Sequence, residues 1–247
     1  MRAVKSLVLV CGIAAIAAAQ APEPPLADLR LPVHTLLRED IFAGFMANDM
    51  TRFARGERNI EQLMRDRPDQ RANLLAWTGS TRVHRAVLAH EAGNADEFQK
   101  QYQAARAAFA EAAGLPSGNE GVAAITGGTY SVFADRLPQQ YRAEAWADAY
   151  AAYSLLWKQQ GAAIDKLPVH HRGEVLAGLT QSAQRTGRTD EAAQNLDRML
   201  QYLQGTPYEA TAKQWKADPA SAATTKLTCM NCHNPGRLSS ALAALRQ

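Results

Sequence analysis

Cysteine is scarce in this chain of 247 residues, with three in all. Cys11 falls in an apolar leader, so the only pair left to the body is Cys229 and Cys232, two positions apart. A fold held by disulfide staples is thereby excluded. Long hydrophobic runs are also lacking. The longest apolar stretch, Leu7 to Ala19, is short of the roughly 20 residues a membrane-spanning helix needs, and Gln20 and the Pro-rich stretch Pro22 to Pro25 end it. Charge of one sign is not in excess: 27 Lys and Arg stand against 24 Asp and Glu, and two of the cations, Arg2 and Lys5, precede the apolar leader. No basic footprint for nucleic acid remains. Runs of alternating β-branched residues, the mark of half-buried strands, do not occur.

The first 19 residues have the layout of an export signal: Arg2 and Lys5, the apolar run, then the small residues Ala17-Ala18-Ala19 at a cleavage site. Val10 before Cys11 is a poor setting for lipidation. A chain that is cleaved near Ala19 and delivered to the periplasm, with no membrane span in its mature form, is the expectation.

Alanine-rich segments with helical periodicity fill the rest, and Gly and Pro fall mainly between them. The expected fold is all-α, a stack of antiparallel α-hairpins. One helix is expected over about 36–54, with Phe42, Phe45, Met46, Met50 and Phe53 on one face and Gly56 at its end. A second carries Ile60, Leu63 and Met64 and stops before Pro68. A third runs from about Asp69 to Glu91. Gly93-Asn94 turns the chain into a helix with Phe98, Tyr102, Ala105 and Phe109. Five glycines between 114 and 128 read as an irregular connection. From Tyr141 to Lys158 an aromatic stripe, Trp146, Tyr150, Tyr153 and Trp157, reads as inter-helix packing. Helices over about His170 to Arg185, Asp190 to Gln204 and Tyr208 to Lys216 follow. Ala217 to Thr225 reads as a linker, and Leu238, Ala241, Leu242 and Leu245 as a short apolar face. The division expected is a signal at 1–19, a helical body over 20–216 and an appended segment over 217–247.

In that last segment Cys229-Met230-Asn231-Cys232-His233 spells C-x-x-C-H. Two thiols at this spacing can each add to a vinyl group of one porphyrin, and the next residue's imidazole then meets the iron. A zinc site would need a second thiol pair, and a redox dithiol would sit beside a βαβ unit; neither is present. The pattern identifies the chain as similar to the c-type cytochromes. The resemblance implies one covalent haem c held by Cys229, Cys232 and His233, with His233 as proximal iron ligand. Attachment takes place outside the cytoplasm, in agreement with the export signal.

Two further resemblances bear on the body. Leu176, Leu179, Ala183, Gly187, Ala192, Leu196, Met199 and Pro207 resemble a tetratricopeptide repeat, with Leu176 and Thr180 departing from its pattern. This implies a surface for protein contact. The motif's nearness to the C-terminus is similar to class II cytochromes c, but Pro235-Gly236 would break the last long helix that family uses.

The chain ends 14 residues after His233, so a second axial ligand has to come from upstream. The candidates are His34, His84, His90, His170, His171, Met46, Met50, Met64 and Met199. Leu-Pro-Val-His occurs twice, at 31–34 and 167–170, each time as a helix opening. His90 on an apolar face reads as a core residue. No nucleophile with an adjacent base, phosphate loop or His-x-x-x-His pair is found, so the expected function is electron transfer rather than catalysis, with redox proteins or a larger complex as partners. The alternative is an interaction or assembly subunit in which the haem is structural or sensory. A peroxidase or gas-binding site would require an open sixth position and a distal polar group.

Overall fold

The computed structural model describes residues 30–116, 119–224 and 237–245. The signal region 1–19 and the whole of Cys229 to His233 lie outside the described residues. The described chain is all-α, without strands. Its helices are α1 (Val33–Ala47), α2 (Met50–Asp66), α3 (Arg71–Glu91), α4 (Ala95–Gly114), α5 (Asn119–Phe133), α6 (Gln139–Gln160), α7 (Val169–Arg185), α8 (Thr189–Tyr202), α9 (Pro207–Ala217), α10 (Pro219–Thr224) and α11 (Arg237–Ala244). Successive helices pack in pairs, α1 on α2, α3 on α4, α5 on α6 and α7 on α8, with α6 on α7 and α3 on α5 joining the pairs. None of the described helices is long and apolar enough to cross a membrane.

Three of the sequence expectations give way. The single helix over about 36–54 is two helices. Asn48 takes a left-handed conformation (φ 53°) that closes α1, and the Asp49 carboxylate accepts a hydrogen bond from the Arg52 amide (3.0 Å), capping α2. Gly56 therefore lies inside α2, where a Cβ would come within 2.6 Å of Ile41; it is a point of close approach, not a stop. The glycine-rich stretch, expected to be irregular, contains α5. Glycine's helix cost of about 1 kcal/mol is offset by packing, since Gly127 admits the Tyr153 ring, whose atoms come within 3.1 Å of where its Cβ would lie. The linker expected over 217–225 includes the helix α10, which packs on α7 and α9 through the buried Ala222, whose carbonyl accepts from Gln181 Nε2 (3.3 Å).

The aromatic stripe of α6 packs between helices, as its spacing suggests. Trp146 and Tyr153 are buried, and Arg185, Arg188 and Arg198 of the following pair cover Trp146, Tyr150 and Trp157 at 4.4–4.6 Å from the ring centroids. Trp146 Nε1 and Arg185 both donate to Asp135. The apolar interior forms two main cores. One gathers α1 to α6 around Trp77, Phe53 and Phe133; the other gathers α7 to α10 around Trp215, Leu176 and Met199. A smaller cluster of Ala123, Ala152, Tyr153, Leu156, Val175 and Leu179 joins them. Ala241 and Leu245 of the last segment pack against the first core, and Leu245 O accepts from Arg30 Nη1 (3.1 Å).

Candidate functional site

Where the two cores meet, α1, α3, α5 and α7 leave a cavity of about 460 Å³. This lies within the ~300–1,000 Å³ of small-molecule and cofactor pockets. Each helix contributes one face. On α1, His34, Arg38 and Phe42 recur at steps of four, and on α3, Asn73, Trp77 and Ser80 at steps of four and three. On α5, Gly121, Ala124, Ile125, Gly128 and Val132 form a smooth wall, and on α7 His170, His171, Glu174 and Val175 close the opposite side. Leu156 and Gln160 of α6, Tyr208 of α9, and Gln70 and Glu120 also line it. Thr129 Oγ1 donates to Ser80 Oγ (2.7 Å) and binds α5 to α3 beside the cavity.

The two Leu-Pro-Val-His phrases do open helices, α1 and α7, with Pro32 and Pro168 at the N-caps. They also meet. His34 from the first and His170, with its neighbour His171, from the second line the same cavity. His34 lies against Trp77, ring centroids 5.2 Å apart, and makes no hydrogen bond among the described residues. Burial first, then the charge of Arg38 and the nearby His170 and His171, bring its pKa down to about 4. The ring is neutral at pH 7. Glu174, whose Oε2 lies 3.7 Å from His170 Nε2, has its pKa raised by burial to about 7. Two buried polar atoms on the wall, Trp77 Nε1 and Asn73 Oδ1, have no hydrogen-bond partner among the described residues.

The other candidate ligands are elsewhere. Met199 is fully buried in the second core, where its sulfur accepts from Thr180 Oγ1 (3.3 Å). Met46, Met50 and Met64 pack against the first core outside the cavity lining. His84 is buried among Phe45, Phe53 and Phe133, with ring centroids at 4.9–5.2 Å; neither ring nitrogen is hydrogen-bonded among the described residues, and the ring borders a second, shallower pocket with Met46, Glu91 and Arg136. Burial, with Arg136 and Arg85 nearby, brings its pKa down to about 4. His90, expected in the core, is exposed, with its ring edge-on to Phe98. The helical face that His90 was assigned to belongs to His84. Trp77 and Glu174 were missed in the sequence, although each keeps helical spacing with a polar neighbour, Asn73 and His170 respectively.

Among the described residues no three His, Cys, Asp or Glu side chains come together closely enough to hold a metal ion by themselves. The cavity instead offers single imidazoles, an arginine and aromatic walls, donors suited to a ligand that brings its own metal or its own ring. Comparison of the chain with known protein families, curated proteins and solved structures finds no match.

Proposed function

We propose that this chain is an exported, one-haem c-type cytochrome that transfers electrons and docks on redox partners through its helical pairs. The observation that carries the reading is the pentapeptide Cys229-Met230-Asn231-Cys232-His233. Cys229 and Cys232 would hold the haem by thioether bonds and His233 would bind its iron. Once attached, the haem supplies a one-electron ferric/ferrous couple. The chain's own part is to fix the ring, exclude water and set the potential through axial ligation, burial and hydrogen bonding.

The cavity fits such a group. Phe42, Trp77, Ile125, Leu156 and Val175 offer an apolar wall, Arg38 a cation for a carboxylate at the ring edge, and Trp77 Nε1 an N–H without an acceptor. α10, which ends at Thr224, packs on α7, and α11, which begins at Arg237, packs on α1. Cys229 follows Thr224 by five residues, a tether of at most about 17 Å. A tetratricopeptide-like docking surface would be formed by α7 and α8, which Gly187 (φ 74°) joins in a tight turn.

The test is attachment. Full-length precursor expressed in a bacterium with c-type maturation proteins should yield periplasmic chain that keeps its haem through denaturation and acid-acetone extraction. Cys229→Ser and Cys232→Ser together should abolish this retention. Release of all the haem into the organic phase from the wild-type protein would end the c-type reading.

A further inference from the structure

We propose that the cavity between α1, α3, α5 and α7 binds a small planar aromatic carboxylate, its ring lying along α5 and its carboxylate held at Arg38 and His34. Every residue involved is among those described, and the site stands apart from the haem reading. No described residue joins the cavity to the pentapeptide, so the lining itself decides the occupant. Ala124 and Gly128, one turn apart on α5, put nothing larger than a methyl group on their wall. Outside its own helix, a Cβ on Gly128 would have only Glu174 Oε1 within 4 Å, at 3.7 Å, so the space over it is open, whereas a Cβ on Gly127 would meet the Tyr153 ring. α1 and α3 supply the rings of His34, Phe42 and Trp77, with the Trp77 centroid 5.2 Å from His34 and 6.3 Å from Phe42. A flat wall and aromatic rings around about 460 Å³ suit a planar ligand of one or two rings better than a branched one.

Charge and hydrogen bonding select an acid. Arg38 is the one Lys or Arg of the lining, and it shares the cavity with three imidazoles, those of His34, His170 and His171. Of the two carboxyls there, Glu120 is exposed, and burial raises the Glu174 pKa to about 7, so at neutral pH that group is close to half protonated. An anion entering the cavity meets a fixed cation and imidazoles able to take up a proton; a cation is repelled by the same groups. Trp77 is 2% exposed and its Nε1 has no acceptor among the described residues, where His34 makes no hydrogen bond either. A carboxylate supplies acceptors for such donors. The second pocket, beside His84, offers less, because Arg136 already donates to both oxygens of Glu91 (2.8 and 2.9 Å). A haem fits the larger cavity by size as well, and the two occupants exclude one another.

The experiment is isothermal titration calorimetry with 2-naphthoate and its uncharged isostere 2-naphthamide, on the matured full-length protein and on its Cys229→Ser/Cys232→Ser form. Both proteins should bind naphthoate at one site with a Kd of about 100 μM or below, and naphthamide about tenfold more weakly or worse. Arg38→Met, which keeps the apolar stem and removes the charge, should weaken naphthoate binding by about tenfold and leave naphthamide nearly unchanged. Gly128→Leu puts a side chain into open space and a better helix former into α5, so it should melt no lower than wild type yet bind neither probe. Absence of naphthoate binding to the wild type, equal affinity for the two probes, or unchanged naphthoate binding to Arg38→Met or Gly128→Leu would overturn the proposal. So would binding to the Cys229→Ser/Cys232→Ser form alone, which would give the cavity to the haem. A wild-type chain that carries no haem would end the c-type reading, and the same titrations would still decide the occupant of the cavity.

Discussion

Tyr153→Ala is expected to destabilise the fold by about 3–5 kcal/mol, the range for deleting a large buried aromatic ring, and to lower the melting temperature by roughly 10 °C. The ring is fully buried in the small cluster that joins the two main cores. It is clamped from both sides by glycines: Gly127 of α5 admits one edge, and a Cβ on Gly178 of α7 would overlap its other side. Gly178→Ala should therefore destabilise as well, even though alanine is the better helix former by about 1 kcal/mol. In a Tyr153→Leu background the same glycine substitution should cost much less or become stabilising. A double-mutant cycle by thermal or urea unfolding reads this coupling. Additive effects of the two substitutions would show that the ring and the glycine do not limit one another.

Acidification supplies the second large effect. His84 has a folded pKa of about 4 against 6.5 in the unfolded chain. Between those values the unfolded state binds the extra proton, so stability falls as pH drops from about 6.5 to 4. The shift corresponds to about 3 kcal/mol when fully developed. His34 titrates in the same direction, with a folded pKa of about 4. Glu174 opposes them: its folded pKa of about 7 lies above 4.5, so its contribution declines as pH rises between the two. Two histidines against one carboxyl leave a net loss of stability on the acid side. His84→Leu, which fills the phenylalanine box with an uncharged side chain, should be more stable than wild type at pH 5, and the difference should shrink above pH 7. Urea midpoints measured from pH 4.5 to 8 decide this, and parallel profiles for the two proteins would refute it.

The long helices of the body were legible because their apolar positions keep to one face and Gly or Pro closes them; α3 and α6 to α9 lie close to their expected bounds, and α4 carries Phe98, Tyr102, Ala105 and Phe109 as expected. Two readings failed for a shared reason. Gly56 and the glycines of α5 read locally as punctuation, yet they serve neighbouring helices that press close, a demand set by residues distant in the chain such as Ile41 and Tyr153. The true break at Asn48-Asp49 carried a local signal, a left-handed-tolerant residue followed by a capping carboxylate, that a continuous phenylalanine face outweighed. The candidate site divides similarly. The pentapeptide announces its chemistry by spacing alone. His34, His170 and His171 were each visible as possible ligands, but their meeting in one cavity depends on how α1 is set against α7, and no local pattern encodes that. His90 reads as the core residue and is exposed, while His84 is buried, because their helix is apolar on more than one side and periodicity then does not single out the inward face.

The Tyr153 cluster has a consequence for the order in which the two cores come together. Helices α1 to α6 can gather their own core around Trp77 before α7 is present, but at that stage the cavity is an open trough, lacking Glu174, His170 and Val175 on its fourth side. Docking of α7 to α10 against Tyr153 adds that fourth side. A ligand that touched all four walls would rivet the two halves together and favour the fully assembled chain.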